Sequence, residues 1–146
     1  MITFSHEGRI QSIVYEPYTK SVFYSIPREK IILRKYIQED NTRNQDDIIL
    51  PIAPFYNGGA INLELDSYKS LLCWLQSITY RSILCSNLNG ENVTTVFTIS
   101  NNPEKIAGFA IDSLNEILYV LTTVSLSHVL VINDLELLKR LTRKLY

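Results

Sequence analysis

Three acidic residues recur at matched positions, each at the end of a short apolar segment: Glu16, Asp66 and Asp112. Such carboxylates can bind a hard cation such as Ca²⁺, which takes about six to eight oxygen ligands. Matched positions in successive repeats lie around an arc, so one ion cannot bind all three. We therefore favour a role in which each carboxylate accepts backbone N–H bonds in a tight turn. No metal or other cofactor is predicted.

Residues for covalent or acid–base catalysis are scarce. His6 and His128 are the only histidines, whereas nucleophilic catalysis pairs Ser or Cys with a base that an acid orients. We interpret His128 as a strand-end residue instead. The sequence has no G-x-S-x-G, Walker A, H-E-x-x-H or dinucleotide-binding motif. It therefore predicts a protein that is not an enzyme.

Two further features concern covalent modification. Cys73 and Cys85, the only cysteines, lie on two predicted strands of a hairpin centred at Thr79, which places them directly opposite each other. They either form one disulfide or remain two small buried thiols. Asn92 begins the sequence Asn-Val-Thr, a glycosylation sequon just past a turn. Both features are compatible with an extracellular protein.

The composition excludes several partners. The 146 residues are 46% hydrophobic and 20% charged, as in folded domains, and 14 basic against 15 acidic side chains give a net charge of −1. The chain therefore has no excess of positive charge that would attract a polyanion, and nucleic acid is not an expected partner. No apolar run reaches the roughly 18 to 20 residues that cross a bilayer. The first residues also lack the basic and apolar regions of a signal peptide.

An internal repeat organises the chain. A segment ending in an acidic residue leads into a second apolar segment three times, and the acids are 50 and 46 residues apart, a spacing typical of propeller blades. The paired segments are 10–16 with 22–26, 60–66 with 71–75, and 106–112 with 117–121.

Two further β-rich runs follow each pair, which predicts twelve strands, four per unit. These runs are 31–37 and 48–52, then 82–88 and 94–99, then 129–132 and about 137–145. The near-continuous apolar runs 117–121 and 129–132 predict strands buried on both faces. The last run has a helical alternative, with Leu135, Leu138, Leu141 and Leu145 on one side, although the repeat favours a fourth strand.

These segments resemble a known repeat family. Residues 106–112 are similar to the small apolar strand ending in Asp of the YWTD repeat, the class B repeat of low-density-lipoprotein-receptor relatives. Leu118-Tyr119 is similar to its aromatic strand and residues 86–90, Ser-Asn-Leu-Asn-Gly, to its Asn-Leu-x-Gly ending. The resemblance covers about residues 8–146. The closing Asp of the tetrad is absent at 23–26, 73–76 and 119–122, so a neighbouring propeller family such as NHL is the alternative.

The resemblance implies an all-β fold: three consecutive four-stranded antiparallel blades, about 8–54, 55–100 and 101–146, of an incomplete β-propeller of the six-bladed type. Either the remaining blades of a longer parent chain or a second copy then closes the ring. The terminal blades are expected to leave apolar faces open. Tyr24 and Trp74 occupy the second position of the tetrad, where the third unit has Val120 next to the aromatic Tyr119. We expect Trp74 to be buried between blades.

The resemblance also implies a function. It suggests a non-enzymatic ligand-binding segment of an extracellular receptor-like protein, or of a membrane receptor's ectodomain, that binds a protein ligand. In such a blade the loops between the second and third strands, and those between blades, share one face. Candidate binding residues there are Arg28, Tyr56 and Tyr80. The alternative is part of a propeller enzyme, lactonase-like or NHL-like, with a metal at the channel mouth.

Overall fold

The computed structural model describes residues 8–37, 47–51, 59–100, 104–123 and 129–132, with backbone alone at 47–51 and 129–132. This part of the chain forms eleven β-strands and no helix. It therefore contains no helix long and apolar enough to cross a membrane. The strands are β1 Ser12–Glu16, β2 Ser21–Ile26, β3 Ile31–Tyr36, β4 Asp47–Pro51, β5 Ala60–Asp66, β6 Leu71–Gln76, β7 Ser82–Asn87, β8 Thr94–Thr98, β9 Ile106–Asp112, β10 Ile117–Thr122 and β11 Val129–Ile132.

The strands form three antiparallel sheets in chain order. The first sheet contains β1 to β4, the second β5 to β8, and the third β9 to β11. The predicted all-β class is therefore confirmed, with one sheet in each repeat unit. The predicted strand at about 137–145, and its helical alternative, lie outside the described residues.

The turns between the first and second strands share one backbone form in all three sheets. Each has four residues and ends in a residue with positive φ, an uncommon conformation for residues other than glycine. A common turn gives the flanking strands a common register. The residues that share the conformation are Lys20 at 49°, Ser70 at 53° and Glu116 at 59°, with Lys30 at 58° and Tyr80 at 54° in the turns between second and third strands.

The first strands of the sheets lie side by side. Strand β1 contacts β5, and β5 contacts β9. The Leu63 N–H at β5 donates to Ser12 Oγ on β1 over 2.9 Å. The three sheets are therefore arranged in sequence around their first strands.

The first and second sheets pack face to face through large apolar side chains. Phe23 and Ile32 of the first sheet meet Leu72, Trp74 and Leu84 of the second in one buried cluster. Trp74 is only 4% exposed, which confirms the expectation that it is buried between sheets. Fully burying each such aliphatic or Phe side chain is worth about 1.5 to 3 kcal/mol.

The opposite face of the second sheet packs against the third. Successive residues of a strand point to opposite faces, so β6 sends Leu71, Cys73 and Leu75 the other way. They pack with residues of the third sheet that include Leu118 and Val120. Strand β6 therefore has both faces buried.

Strand β10 differs from the prediction that it is buried on both faces. Its Leu118 and Val120 are buried, but Leu121 is 45% exposed and Tyr119 is partly exposed. Within the described residues, no further sheet covers the face that points away from the second sheet. The corresponding expectation for β11 concerns side chains outside the description.

The outer face of the first sheet is open only in part. Ile13 and Tyr15 on β1 are 54% and 52% exposed, as expected for a terminal sheet. The expectation is wrong for β2 and β3, because the segment before β1 packs across them: Ile10 contacts the cluster there, and a Cβ at Gly8 would overlap Ile26. The fully buried side chains of this cluster are Tyr24, Ile26 and Leu33.

Gly59 marks a close approach between the first two sheets. This buried residue precedes β5, and a Cβ built on it would overlap the backbone of Pro27, in the turn between β2 and β3. Backbone atoms cannot rotate away as a side chain can. By contrast, a Cβ at Gly108 on β9 would meet only Asn62 Nδ2 at 3.8 Å, an ordinary contact.

We predict that Gly59→Ala lowers the free energy of unfolding by about 1 to 3 kcal/mol, the usual cost of overpacking. Gly108→Ala is the matched control, and we expect it to be neutral or stabilising by up to about 1 kcal/mol, because alanine has less freedom to lose than glycine. Urea unfolding followed by Trp74 fluorescence measures both. Equal free energies of unfolding for the two variants would contradict the proposed close approach.

Candidate binding surfaces

The aligned acids end the first strands and hold the turns that follow. Glu16 accepts hydrogen bonds from Tyr18 N at 3.1 Å and from Thr19 N and Oγ1, each at 2.6 Å. Asp112 is bound in the same way by Leu114 N and Asn115 N, both at 3.1 Å, and by Asn115 Nδ2 at 2.8 Å. In both turns the side chain three residues after the acid completes the set.

Asp66 departs from this pattern. It accepts Lys69 N at 3.0 Å, but the Lys69 ammonium pairs instead with Glu116 Oε1 of the next turn, at 3.1 Å. Asp66 Oδ2 is buried without a hydrogen-bond partner in the described part of the chain. Lys69 therefore joins two neighbouring turns rather than completing its own. No group of three potential metal ligands occurs among the described residues.

The hydrogen bonds and burial change the acidity of two glutamates in opposite directions. Burial alone would raise the pKa of Glu16, but the bonds from Thr19 and Tyr18 outweigh it and hold that pKa below its ordinary value. For Glu64 on β5, burial raises the pKa of the carboxyl. Asn115 and Leu114 lower the pKa of Asp112 through their hydrogen bonds, against a smaller opposing effect of burial.

Cys73 and Cys85 are directly opposite each other on β6 and β7 and form a disulfide. Both are essentially inaccessible to solvent and belong to the core between the second and third sheets. Of the two alternatives that the sequence leaves open, the structure has the bonded one.

In each of the last two sheets, a reciprocal pair of hydrogen bonds joins the residue before the first strand to the residue after the second strand. These bonds lie at the end of the sheet where the second strand leads into the third. Gly59 N donates to Ser77 Oγ and Ser77 N donates to Gly59 O, both at 2.8 Å. In the third sheet Lys105 N donates to Thr123 Oγ1 at 3.1 Å, and Thr123 N to Lys105 O at 2.9 Å. Pro27 occupies the equivalent position in the first sheet and has neither donor nor hydroxyl.

The same end carries the residues predicted to bind. Arg28 is exposed, and Tyr80 is 39% exposed with Lys105 Nζ at 5.8 Å from its ring centroid. Ile78, which the sequence analysis did not single out, is 60% exposed and occupies the position in its turn that Arg28 has in the first sheet. Tyr56 lies outside the described residues. We call Arg28, Ile78, Tyr80 and Lys105 the upper surface.

The opposite end carries a feature that the sequence analysis missed. The second residue of each turn after the aligned acids is large and about three-quarters exposed: Tyr18 at 78%, Tyr68 at 73% and Leu114 at 74%. Their common spacing from the aligned acids was a signal available in the sequence. We call these three residues the lower row.

Comparison with known proteins supports the fold alone. No protein-family model matches the sequence, and no curated protein matches it. The structure is similar to a chain in the crystal structure of a nidogen/laminin complex, with a TM-score of 0.61 and 18% sequence identity. The similarity covers 76% of this chain and 38% of that one, so this chain spans well under half of its structural relative.

We predict opposite effects of Glu16→Gln and Glu64→Gln on the pH dependence of stability. Folding lowers the pKa of Glu16, so its contribution is present above the unfolded-state pKa and is lost as pH falls through the folded-state pKa. Folding raises the pKa of Glu64, so its ionisation destabilises the fold near neutral pH, and this cost disappears on acidification.

Glu16→Gln should therefore cost about 1 to 3 kcal/mol at neutral pH, from the lost charge-assisted bonds, and should flatten the loss of stability below about pH 5. Glu64→Gln should make that loss steeper than in the unsubstituted chain. Denaturant unfolding at a series of pH values measures both variants. Parallel stability profiles for the two would show that the carboxylates do not act as described.

Proposed function

We propose that this chain is a three-blade segment of an extracellular β-propeller that binds a protein partner. The observation that carries the proposal is the repeated arrangement of the sheets, whose first strands β1, β5 and β9 lie side by side. Blades around a common axis have this arrangement. The structural similarity to a chain in a nidogen/laminin complex supports it, as does the resemblance of the repeats to the YWTD family.

A location outside the cell is supported by the disulfide between Cys73 and Cys85. Disulfides persist in oxidising compartments and are rare in the cytosol. A receptor-like protein of the class B type is the form of this proposal that the repeat resemblance favours. The proposed activity is binding, not catalysis.

We propose the upper surface as the contact with the protein partner. It presents an aromatic ring, an exposed aliphatic side chain and a guanidinium, and Tyr and Arg are residue types that dominate interface energetics. Residues 27–30, 77–81 and 104–105 at this end include four basic and two acidic side chains, although the whole chain has a net charge of −1. A partner surface with acidic groups fits this local charge.

Site-specific photo-crosslinking tests the proposal. Benzoylphenylalanine is placed at Ile78 of the secreted chain, or at Tyr68 of the lower row as the matched control, and the protein is illuminated on cultured cells and with purified laminin and purified nidogen. We expect an adduct from position 78 that unlabelled chain competes away and that Arg28→Glu weakens about tenfold or more. Adducts only from position 68 would move the contact to the lower row, and no competed adduct at either position would refute protein binding.

The two open sheet faces support further sheets on either side. Leu121 and Tyr119 on β10, at one end of the described structure, are placed as Leu75 and Cys73 are on β6, which the third sheet covers. Ile13 and Tyr15 leave the first strand of the other end open. We propose that equivalent sheets, from the rest of a longer chain or from a second copy, cover these faces.

Sedimentation analysis of the chain tests this part of the proposal. The chain should self-associate through the open face of β10, and Leu121→Glu should weaken association about tenfold, or about 1.4 kcal/mol. Leu114→Glu is the matched control, because Leu114 is more exposed but lies in a turn. Trp74 fluorescence checks that both variants are folded. Unchanged association in the Leu121 variant would contradict the proposed sheet contact.

A further inference from the structure

Three asparagines lie at the end of β7 and in its connection to β8, and the side chains of two of them make hydrogen bonds there. Asn87 Oδ1 accepts Asn89 N at 3.0 Å and Glu91 N at 2.9 Å, and Asn87 Nδ2 donates to Glu91 Oε2 at 3.1 Å. Asn89 Oδ1 accepts Arg34 Nη1 of the first sheet at 3.2 Å. Both amides therefore hold the connection or link two sheets.

The third asparagine, Asn92, is exposed, and no described residue hydrogen-bonds its side-chain amide. Its φ of 54° is a conformation in which asparagine is enriched among non-glycine residues. That conformation explains an asparagine here but not the threonine two residues later.

Thr94 completes the sequence Asn92-Val93-Thr94, the only Asn-x-Ser/Thr sequence in the chain. It begins β8 and is directly opposite Cys85 in the β7–β8 register. The acceptor sequence and the disulfide thus share one sheet, and both modifications belong to the secretory pathway.

We propose that Asn92 carries an N-linked oligosaccharide. The proposal rests on the extracellular location given under the proposed function. In the reaction, Asn92 Nδ2 forms a bond to the anomeric carbon of the first sugar of a lipid-linked oligosaccharide. The bond from that carbon to the lipid diphosphate breaks, the diphosphate keeps the electron pair, and the amide loses one proton to it.

The position of Asn92 gives the glycan a physical role. Strand β8 is the last strand of the second sheet and has no partner on its outer side within the described residues. Exposed sheet edges pair with other chains unless something covers them. A glycan at the start of β8 shields this edge, and it lies at the same end as the lower row, leaving the upper surface open to a protein partner.

The test routes the full 146-residue chain into the secretory pathway of cultured mammalian cells behind a cleavable signal. Cell-associated and secreted protein are both analysed, with and without peptide-N-glycosidase in heavy-oxygen water. We expect one glycan on the chain, removed by the enzyme with heavy oxygen incorporated at residue 92.

Matched variants locate the site independently of folding effects. Thr94→Val should abolish the glycan completely while keeping a β-branched residue on β8, and Asn92→Gln should do the same. Thr94→Ser and Asn89→Gln should retain it. An unmodified chain, or a mobility shift that survives Thr94→Val, would overturn the inference. Because photo-crosslinking at Ile78 does not depend on the glycan, an unmodified chain that still cross-links would refute this inference alone.

Discussion

The burial of both faces of β6 is the constraint on which the rest of the structure depends. Leu72 and Trp74 pack toward the first sheet, whereas Leu71, Cys73 and Leu75 pack toward the third. A central sheet with two apolar faces is stable only when a sheet covers each of them. The stacking of three sheets in chain order therefore follows from the two apolar faces of one strand. The connections between sheets only have to place each sheet beside the next.

The turns after the three first strands share their length and the positive φ of their last residue, but not their side-chain chemistry. Thr19 and Asn115 complete the hydrogen bonds of the acid in their own turns, while Lys69 reaches Glu116 in the next turn. The cost is a buried carboxylate oxygen of Asp66 that has no hydrogen-bond partner among the residues the structure describes, and the gain is a charged link between two sheets. Equivalent positions thus serve different purposes once a repeat has neighbours on both sides.

The sequence predicts features that depend on local period and register. The burial of Trp74 follows from strand alternation, and the opposite placement of Cys73 and Cys85 follows from a hairpin centred at Thr79. It does not predict the cover over Tyr24 and its neighbours, because a segment without periodicity crosses that face. The approach of Pro27 to Gly59 is equally invisible, since it joins residues in two different sheets.

The sequence predicts residues of the upper surface but misses the lower row. Sequence reasoning assigns Arg28 and Tyr80 to one end from the order of the strands, which the structure has as well. The common spacing of Tyr18 and Tyr68 from the aligned acids indicates that they are equivalent. Sequence reasoning overlooks them because a turn signal does not show how far a side chain projects. Their exposure depends on the shape of their turns, which backbone hydrogen bonds to the Glu16 and Asp66 carboxylates stabilise.

Pro27 has a consequence for the way in which this structure opens. The second and third sheets fasten their first strands with the hydroxyls of Ser77 and Thr123, and those strands have seven residues. Strand β1, opposite Pro27, has five. Local unfolding begins where the fewest hydrogen bonds and buried contacts must break. Among the three first strands, β1 is therefore the one that lacks this side-chain fastening at the end beside Pro27, and we expect its amide hydrogens at that end to exchange before the matching ones of β5 and β9.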